Sequence, residues 1–246
     1  MEPPFAVHFP NGMLAHAIYP DSEADLVVTL QELGLTQQPT LVVIGGASKL
    51  SADDFARVQQ LFTDVLAPLA QKWQAAVIDG GTDAGVMRLM GQARQQIGGD
   101  FPLIGVAPID LATLPTQTDG GSDAAPLEQN HTHFVLVPGS NWGDESHWIA
   151  QLATALAGHH PSVTVLINGG EVTWRDALQS VKAEREILVI AGSGRTADIL
   201  AAATRGHATD ERAAALVASG LVETMDLNAG FATMTATIEK IFAAKG

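Results

Sequence analysis

The sequence predicts a doubly wound α/β fold: one domain, a mainly parallel sheet, helices on both faces. Three observations lead there. Short runs rich in β-branched residues alternate along most of the chain with amphipathic stretches of helical period. Five of these runs end in a glycine-containing turn, at Ile44-Gly45-Gly46, Asp79-Gly80-Gly81, Pro138-Gly139-Ser140, Asn168-Gly169-Gly170 and Gly192-Ser193-Gly194. The 246 residues are 46% hydrophobic and 16% charged, enough to bury one large core, and no linker-like stretch divides them.

The elements follow in order. Phe5 to His8 and Met13 to Ile18 flank Pro10-Asn11-Gly12, and Asn-Gly favours a tight hairpin. Leu26, Val27, Leu30, Leu33 and Leu35 mark a short amphipathic helix from about Ser22, with Gly34 near its end. Thr40 to Ile44 reads as a buried strand. Ser51 then caps a helix with Asp53 and Asp54 in its first turn and Phe55, Val58, Leu61, Phe62, Val65 and Leu69 along one face. Ala75 to Asp79 is a strand, Ala84 to Ile97 a helix and Leu103 to Ala107 a strand. From Pro108 to Asn130 no period survives and Pro, Thr, Asp and Gly dominate, which predicts a lid or an irregular excursion with Gly120-Gly121 near its middle. Strands at Phe134 to Val137, Val163 to Ile167 and Ile187 to Ile190 each precede a helix, at Ser146 to Ala157, Val172 to Ala183 and Arg195 to Ala203. A C-terminal extension, about 204–246, adds a helix over Asp210 to Ser219, an edge strand over Leu221 to Leu227 and a closing helix over Phe231 to Ala244. The stripe Phe231, Met234, Ile238, Ile241 and Phe242 on that last helix reads as core or subunit contact.

Composition narrows the function. A formal net charge of -14 opposes nucleic acid and anionic membrane surfaces as partners, though a pocket can still hold a small phosphorylated ligand through backbone N–H groups and an arginine. No run approaches the ~18 apolar residues of a membrane span and no secretory pattern opens the chain, so the expectation is a cytoplasmic protein. Zero cysteines exclude disulfides, cysteine metal sites and thiol nucleophiles.

In a parallel sheet the glycine turns gather at the carboxyl ends of the strands, where such folds bind ligands and where helix N-termini offer unpaired N–H groups to an anion. The candidate ligand-binding residues are therefore Gly45, Gly46 and Ala47; Gly80, Gly81, Thr82, Gly85 and Val86; Pro138, Gly139 and Ser140; Gly169 and Gly170; and Gly192, Ser193, Gly194 and Arg195. Tight turns and close packing alone would also use these glycines. Arg195 opens a helix, where the dipole mildly opposes a cation, so an anion is a better reason for it than an ion pair with Asp198 at i+3. His131 and His133 share a face if extended, which suits either a metal or ring nitrogens bonded to backbone carbonyls; with no third ligand in sight no metal site is assigned. Trp142 either stacks on a base or packs against a neighbouring helix. Asp83 is expected to cap a helix and Asp79 to meet a ribose. Ser140, Ser193 and Thr82 have no His and carboxylate to make a triad, so no catalytic residue is assigned.

Five segments in this order carry a resemblance: LVVIGGA at Leu41 to Ala47, DGGTDAGVM at Asp79 to Met87, IGVAP at Ile104 to Pro108, NHTHFVLV at Asn130 to Val137 and GSGRTADIL at Gly192 to Leu200. Together they resemble the prokaryotic form of the SLOG domain found at the N-terminus of TRPM channels, the LSDAT type, over roughly residues 40–203. The resemblance implies a Rossmann-like fold and a pocket for NAD-derived nucleotides such as ADP-ribose or its cyclic relatives, used for sensing. It implies no required cofactor, and an output through a downstream protein or through homo-oligomerisation. The same superfamily includes the Lonely Guy phosphoribohydrolases, with the signature P-G-G-x-G-T-x-x-E. In the segment Pro138 to His147 the glutamate position falls on Ser146 when anchored on Pro138 and on His147 when anchored on Gly143. Glu145 lies one or two residues away, a helical rotation of about 100–200° that is expected to turn it from the pocket. A hydrolase of nucleotide N-glycosidic bonds is the alternative reading.

Overall fold

The computed structural model of the chain describes residues 2–117 and 121–244. Its sheet has nine strands, placed by the same runs that the sequence marks: β1 (Phe5–His8), β2 (Leu14–Ile18), β3 (Thr40–Gly45), β4 (Ala76–Asp79), β5 (Leu103–Pro108), and, after two very short strands β6 (Ala112–Thr113) and β7 (Ala125–Pro126) that pair apart, β8 (His133–Val137), β9 (Ser162–Ile167), β10 (Glu186–Ala191) and β11 (Val222–Asp226). The spatial order is β1-β2-β8-β5-β4-β3-β9-β10-β11, parallel throughout except that β1 runs antiparallel to β2 in the predicted hairpin. From β3 the chain winds outward through β4 and β5, then crosses back to lay β9, β10 and β11 on the other side. The order therefore reverses between β3 and β9, the Rossmann-like arrangement that opens a crevice at the strands' carboxyl ends.

Helices α1 (Leu26–Glu32), α5 (Ser146–Ala157), α6 (Glu171–Lys182), α7 (Arg195–Thr204) and α8 (Glu211–Ala218) cover one face, against Val42 and Ile44 of β3. Helices α2 (Ala52–Leu61), α3 (Ala67–Trp73), α4 (Gly85–Gln96) and α9 (Phe231–Ala244) cover the other, against Leu41 and Val43. Alternate residues of one strand thus feed two separate cores, as the period of a strand requires. Met234, Ile238 and Phe242 of the α9 stripe are fully buried, so the stripe is core. The C-terminal segment is no appendage: β11 extends the sheet in parallel register on β10, with Ile187 opposite Val222.

Two local differences from the sequence expectation have physical causes. The single helix expected after β3 is α2 and α3 joined by one wide turn at Phe62–Leu66, where Ala67 N–H reaches back to Phe62 O. Pro68 has no N–H to donate and would press on the carbonyl four residues before it, and the wider turn relieves both faults. The segment expected to be an irregular lid is instead tied down along much of its length. Leu127 N–H bonds Thr113 O, Asp83 N–H bonds Pro126 O, and Glu128 N–H bonds Gly81 O at 2.9 Å. Gly120 lies outside the described residues, whereas Asp123 and Ala125 border the crevice.

Candidate functional site

A cavity of about 350 Å³ opens at the carboxyl ends of β3 and β4. Its apolar lining includes Val43, Ile44, Ile149 and Val172, with Met87 from α4 and Trp142 from the turn before α5. A second cavity of about 620 Å³ shares Gly45, Ala84 and Met87 with the first and lies on the α2 and α4 side of the sheet. The two form a pair of adjoining hollows beside β3, on the β4 side of the reversal in strand order, and no residue of β9 lines either.

The structure brings only part of the predicted site together. Gly45, Gly80 and Thr82 line the first cavity, and Gly45, Gly46, Ala47 and Gly85 line the second. Gly45 sits where β3 and β9 touch, with φ of 127°, and a Cβ there would stand 1.9 Å from Ile167 O. Val86 is fully buried in the core under α4 and can offer only its backbone. Pro138, Gly139, Ser140, Gly169, Gly170, Gly192, Ser193 and Gly194 line neither cavity.

Most of the N–H groups expected to await an anion already have acceptors from this chain. Gly81 N–H donates to Asp79 Oδ1 (2.8 Å), and Ser140 and Asn141 N–H both donate to Asp144 Oδ2 (3.0 Å each). Those bonds, Asn141's first, hold the Asp144 carboxyl below its usual pKa. Gly46 N–H is taken by Ile167 O, Gly169 N–H by Asn168 Oδ1, Gly170 N–H by Thr173 Oγ1 and Gly192 N–H by Asp198 Oδ1. The buried Ser193 hydroxyl donates to Ile190 O and accepts from Asn168 N–H, a structural role in place of the expected contact with phosphate. At Gly81, Ser140, Gly169 and Gly192 a short Asp or Asn side chain fills the anion's place, at Gly170 a threonine hydroxyl and at Gly46 a backbone carbonyl.

What stays open lies at β3 and α4. The α4 N-cap is Ala84, which has no side chain to bond the first helical N–H groups. Asp83, expected as the cap, instead accepts from Arg88 Nε at 2.6 Å. The exposed Arg195, whose φ is 52°, donates through Nη1 to Ser48 Oγ at 2.9 Å and lies over Gly170. It therefore reaches toward the rim of the second cavity, which Ser48 and Arg88 also line.

Three acidic groups depart from expectation. Glu145 lines the first cavity and is 5% exposed. It precedes the first turn of α5, so a rotation reckoned along a helix does not apply, and its Oε2 folds back onto Gly143 N–H at 2.7 Å. Asp176 of α6, 8% exposed, also lines the cavity and accepts from the Ser146 hydroxyl at 2.5 Å. The sequence offered no signal for it beyond a lone carboxylate in an amphipathic helix. Burial drives both carboxyls above their usual pKa, Asp176 to about 7, with the nearby Glu145 charge adding to the rise and the Ser146 bond opposing it. Asp79 is fully buried beneath the Gly80-Gly81 turn rather than facing a ribose.

Asp79 belongs to a buried cluster. His131, with no exposed surface, bridges Asp79 Oδ1 through Nε2 (2.9 Å) and Glu128 Oε2 through Nδ1 (2.8 Å), so carboxylates and not carbonyls take its ring nitrogens. Glu128 further accepts from Asn130 N–H and side-chain amide. Glycine at 91 makes room, since a Cβ there would stand 2.0 Å from Glu128 Oε2. Burial alone would lower the His131 pKa, but the two carboxylates outweigh it and raise the value to about 9. The network anchors the 127–131 return to the Gly81 turn beside the cavity.

Residues 38–236 match the family described as SLOG in TRPM, prokaryote. Transient receptor potential cation channel subfamily M member 2 of Rattus norvegicus is 25% identical over 207 residues, 70% of this chain and 14% of that protein. The subfamily M member-like 2 channel of Nematostella vectensis is 29% identical over 220 residues, 73% of this chain and again 14% of the relative. The chain thus spans about a seventh of these channels, and no helix among its described residues is long and apolar enough to cross a membrane. Such relationships support a nucleotide-binding or sensing role in general, and with four-fifths of its length matched the chain belongs to the prokaryotic SLOG-in-TRPM family.

Proposed function

We propose that the chain is a cytoplasmic sensor domain that binds an ADP-ribose-like, NAD-derived nucleotide in the two adjoining hollows at the carboxyl ends of β3 and β4. The observation that carries this reading is the pair of adjoining hollows at the carboxyl ends of β3 and β4, one mostly apolar and one with Ser48, Arg88 and the uncapped start of α4 in its wall. That division suits a ligand with a flat apolar end and a phosphorylated end. The phosphates lie toward Gly46, Ala47 and the α4 N-terminus, within reach of Arg195, and the signal passes to a downstream protein or a second copy of the chain. A thermal-shift panel of ADP-ribose, cyclic ADP-ribose, NAD and AMP tests it. A ligand at 100 times its Kd stabilises the folded state by about 2.7 kcal/mol, a readily visible shift. Silence across the whole panel contradicts the proposal.

One observation favours a second reading. Glu145 does face the cavity and Asp176 stands with it, so a pair of carboxyl groups is available for hydrolysis of a nucleotide N-glycosidic bond. Incubation with AMP and ADP-ribose, followed by chromatography for free base, separates the two readings. Release of base at enzymatic rates, abolished in Glu145→Gln, favours the hydrolase.

A further inference from the structure

The first cavity is apolar on most of its wall and acidic on the rest. Asp176 and Glu145 are both more than nine-tenths buried. The Ser146 hydroxyl occupies Asp176 Oδ1 and the Gly143 N–H occupies Glu145 Oε2, and among the described residues no other side chain donates to either carboxylate. A phosphate placed beside two buried acids is repelled strongly, because low polarity around the pair leaves the charges poorly screened. The adjoining hollow has the opposite character, with Arg88, Ser48 and, at its rim, Arg195. A ligand with one phosphorylated end therefore has one sensible orientation.

We infer that the acid-walled cavity takes the heterocyclic base, and that Asp176 and Glu145 accept hydrogen bonds from an exocyclic amino group, which makes the site selective for a 6-aminopurine over a 6-oxopurine. The inference rests on the nucleotide-binding reading above. Ile149 and Val172 offer apolar surface to the ring faces, and Trp142, held by its Nε1–H to Asp123 O at 3.1 Å, offers an aromatic one. An ionised carboxylate only accepts hydrogen bonds, so it matches an amino group and rejects a carbonyl oxygen. Rejection is the stronger half of such selectivity, because a base that brings an acceptor leaves the buried carboxylates without a donor.

The test is calorimetric titration at pH 8, above the Asp176 value of about 7, with ADP-ribose, inosine diphosphate ribose and ribose 5-phosphate. The wild type should prefer ADP-ribose to its hypoxanthine counterpart by about ten-fold or more, the loss expected for one hydrogen bond to a charged group. Asp176→Asn and Glu145→Gln, nearly isosteric changes, should each shrink that ratio, and ribose 5-phosphate, which has no base, should bind the wild type more weakly than ADP-ribose. Equal affinities for the two purine nucleotides in the wild type overturn the inference without need of any variant, as does a ratio that survives in both variants. If neither nucleotide binds, the nucleotide-binding reading falls and takes this inference with it.

Discussion

Replacing His131 with glutamine leaves Asp79 and Glu128 in the core without the cation that joins them. Removing one partner from a buried charged cluster costs about 3–5 kcal/mol, and glutamine can replace only part of the bonding, so we expect a loss near the lower end, about 3 kcal/mol. For a chain of 246 residues that is roughly 6–12 °C in Tm, at 2–4 °C per kcal/mol. The cluster also imposes a pH dependence with a definite sign. The folded-state pKa of His131, about 9, lies above the unfolded value of 6.5. The folded protein therefore holds a proton that the unfolded chain releases between those values. The associated stability is fully present below pH 6.5 and is lost as pH rises through 9, about 3 kcal/mol at 1.36 kcal/mol per pKa unit. His133 contributes the reverse on the acid side. Burial first, then the charge of His16, lowers its pKa to about 4, so its contribution is present above pH 6.5 and lost as pH falls through 4. Asp176, raised to about 7, opposes His133 there, because its neutral form favours the fold most below pH 3.8 and loses that advantage as pH rises through 7. Urea unfolding of the wild type and His131→Gln from pH 6 to 9.5 isolates the His131 effect. The wild type should lose stability across the window more steeply than the variant, whose remaining slope around pH 7 belongs to Asp176. If glutamine fails to fold, the His131 imidazole resonances of the wild type report the same titration. An imidazole that titrates near 6.5, or equal slopes for both proteins, refutes the reasoning.

Further changes address the crevice itself. Arg195→Ala should weaken nucleotide binding by about 10–150 fold if its planar guanidinium bonds phosphate at 1.5–3 kcal/mol, with Arg195→Lys recovering only part; calorimetric titration of the folded variants checks both. Gly45→Ala should destabilise the protein by more than about 2 kcal/mol in urea, since its Cβ meets backbone 1.9 Å away and φ is positive. Trp142 lines the cavity, whereas Trp73, Trp148 and Trp174 do not, so nucleotide should change the intrinsic fluorescence of the wild type and leave that of a Trp142→Phe variant nearly unchanged.

Much of the fold is legible because buried parallel strands are short apolar runs and glycine ends them. Thr40, Ser51 and the Ser146–Ala157 helix all stand where local pattern places them. The Pro108 to Asn130 stretch is hidden because two-residue strands have no period, and the bonds that order it reach out to Gly81 and Asp83 or join Leu127 to Thr113 across its own length. The π turn was implicit in Pro68, whose missing N–H falls inside a helical stripe. At the candidate site, glycine turns mark the end of the sheet where the cavities open but not which N–H groups remain open, a matter settled by neighbouring Asp79, Asp144, Asn168 and Asp198 side chains. Asp176 and His131 escape local pattern for a different reason. Each acquires its character from partners distant in sequence, Ser146 for one and Asp79 for the other.

The central claim is that a nucleotide occupies the cavity at the carboxyl ends of β3 and β4. Val172, partly exposed in the first turn of α6, lines that cavity, so Val172→Trp fills it without disturbing the sheet. Calorimetric titration of ADP-ribose into the wild type and this variant, with circular dichroism to confirm folding, is the most direct measurement. Saturable one-site binding by the wild type, abolished in the folded variant, is the result predicted; no binding to the wild type, or equal affinity for both proteins, contradicts it.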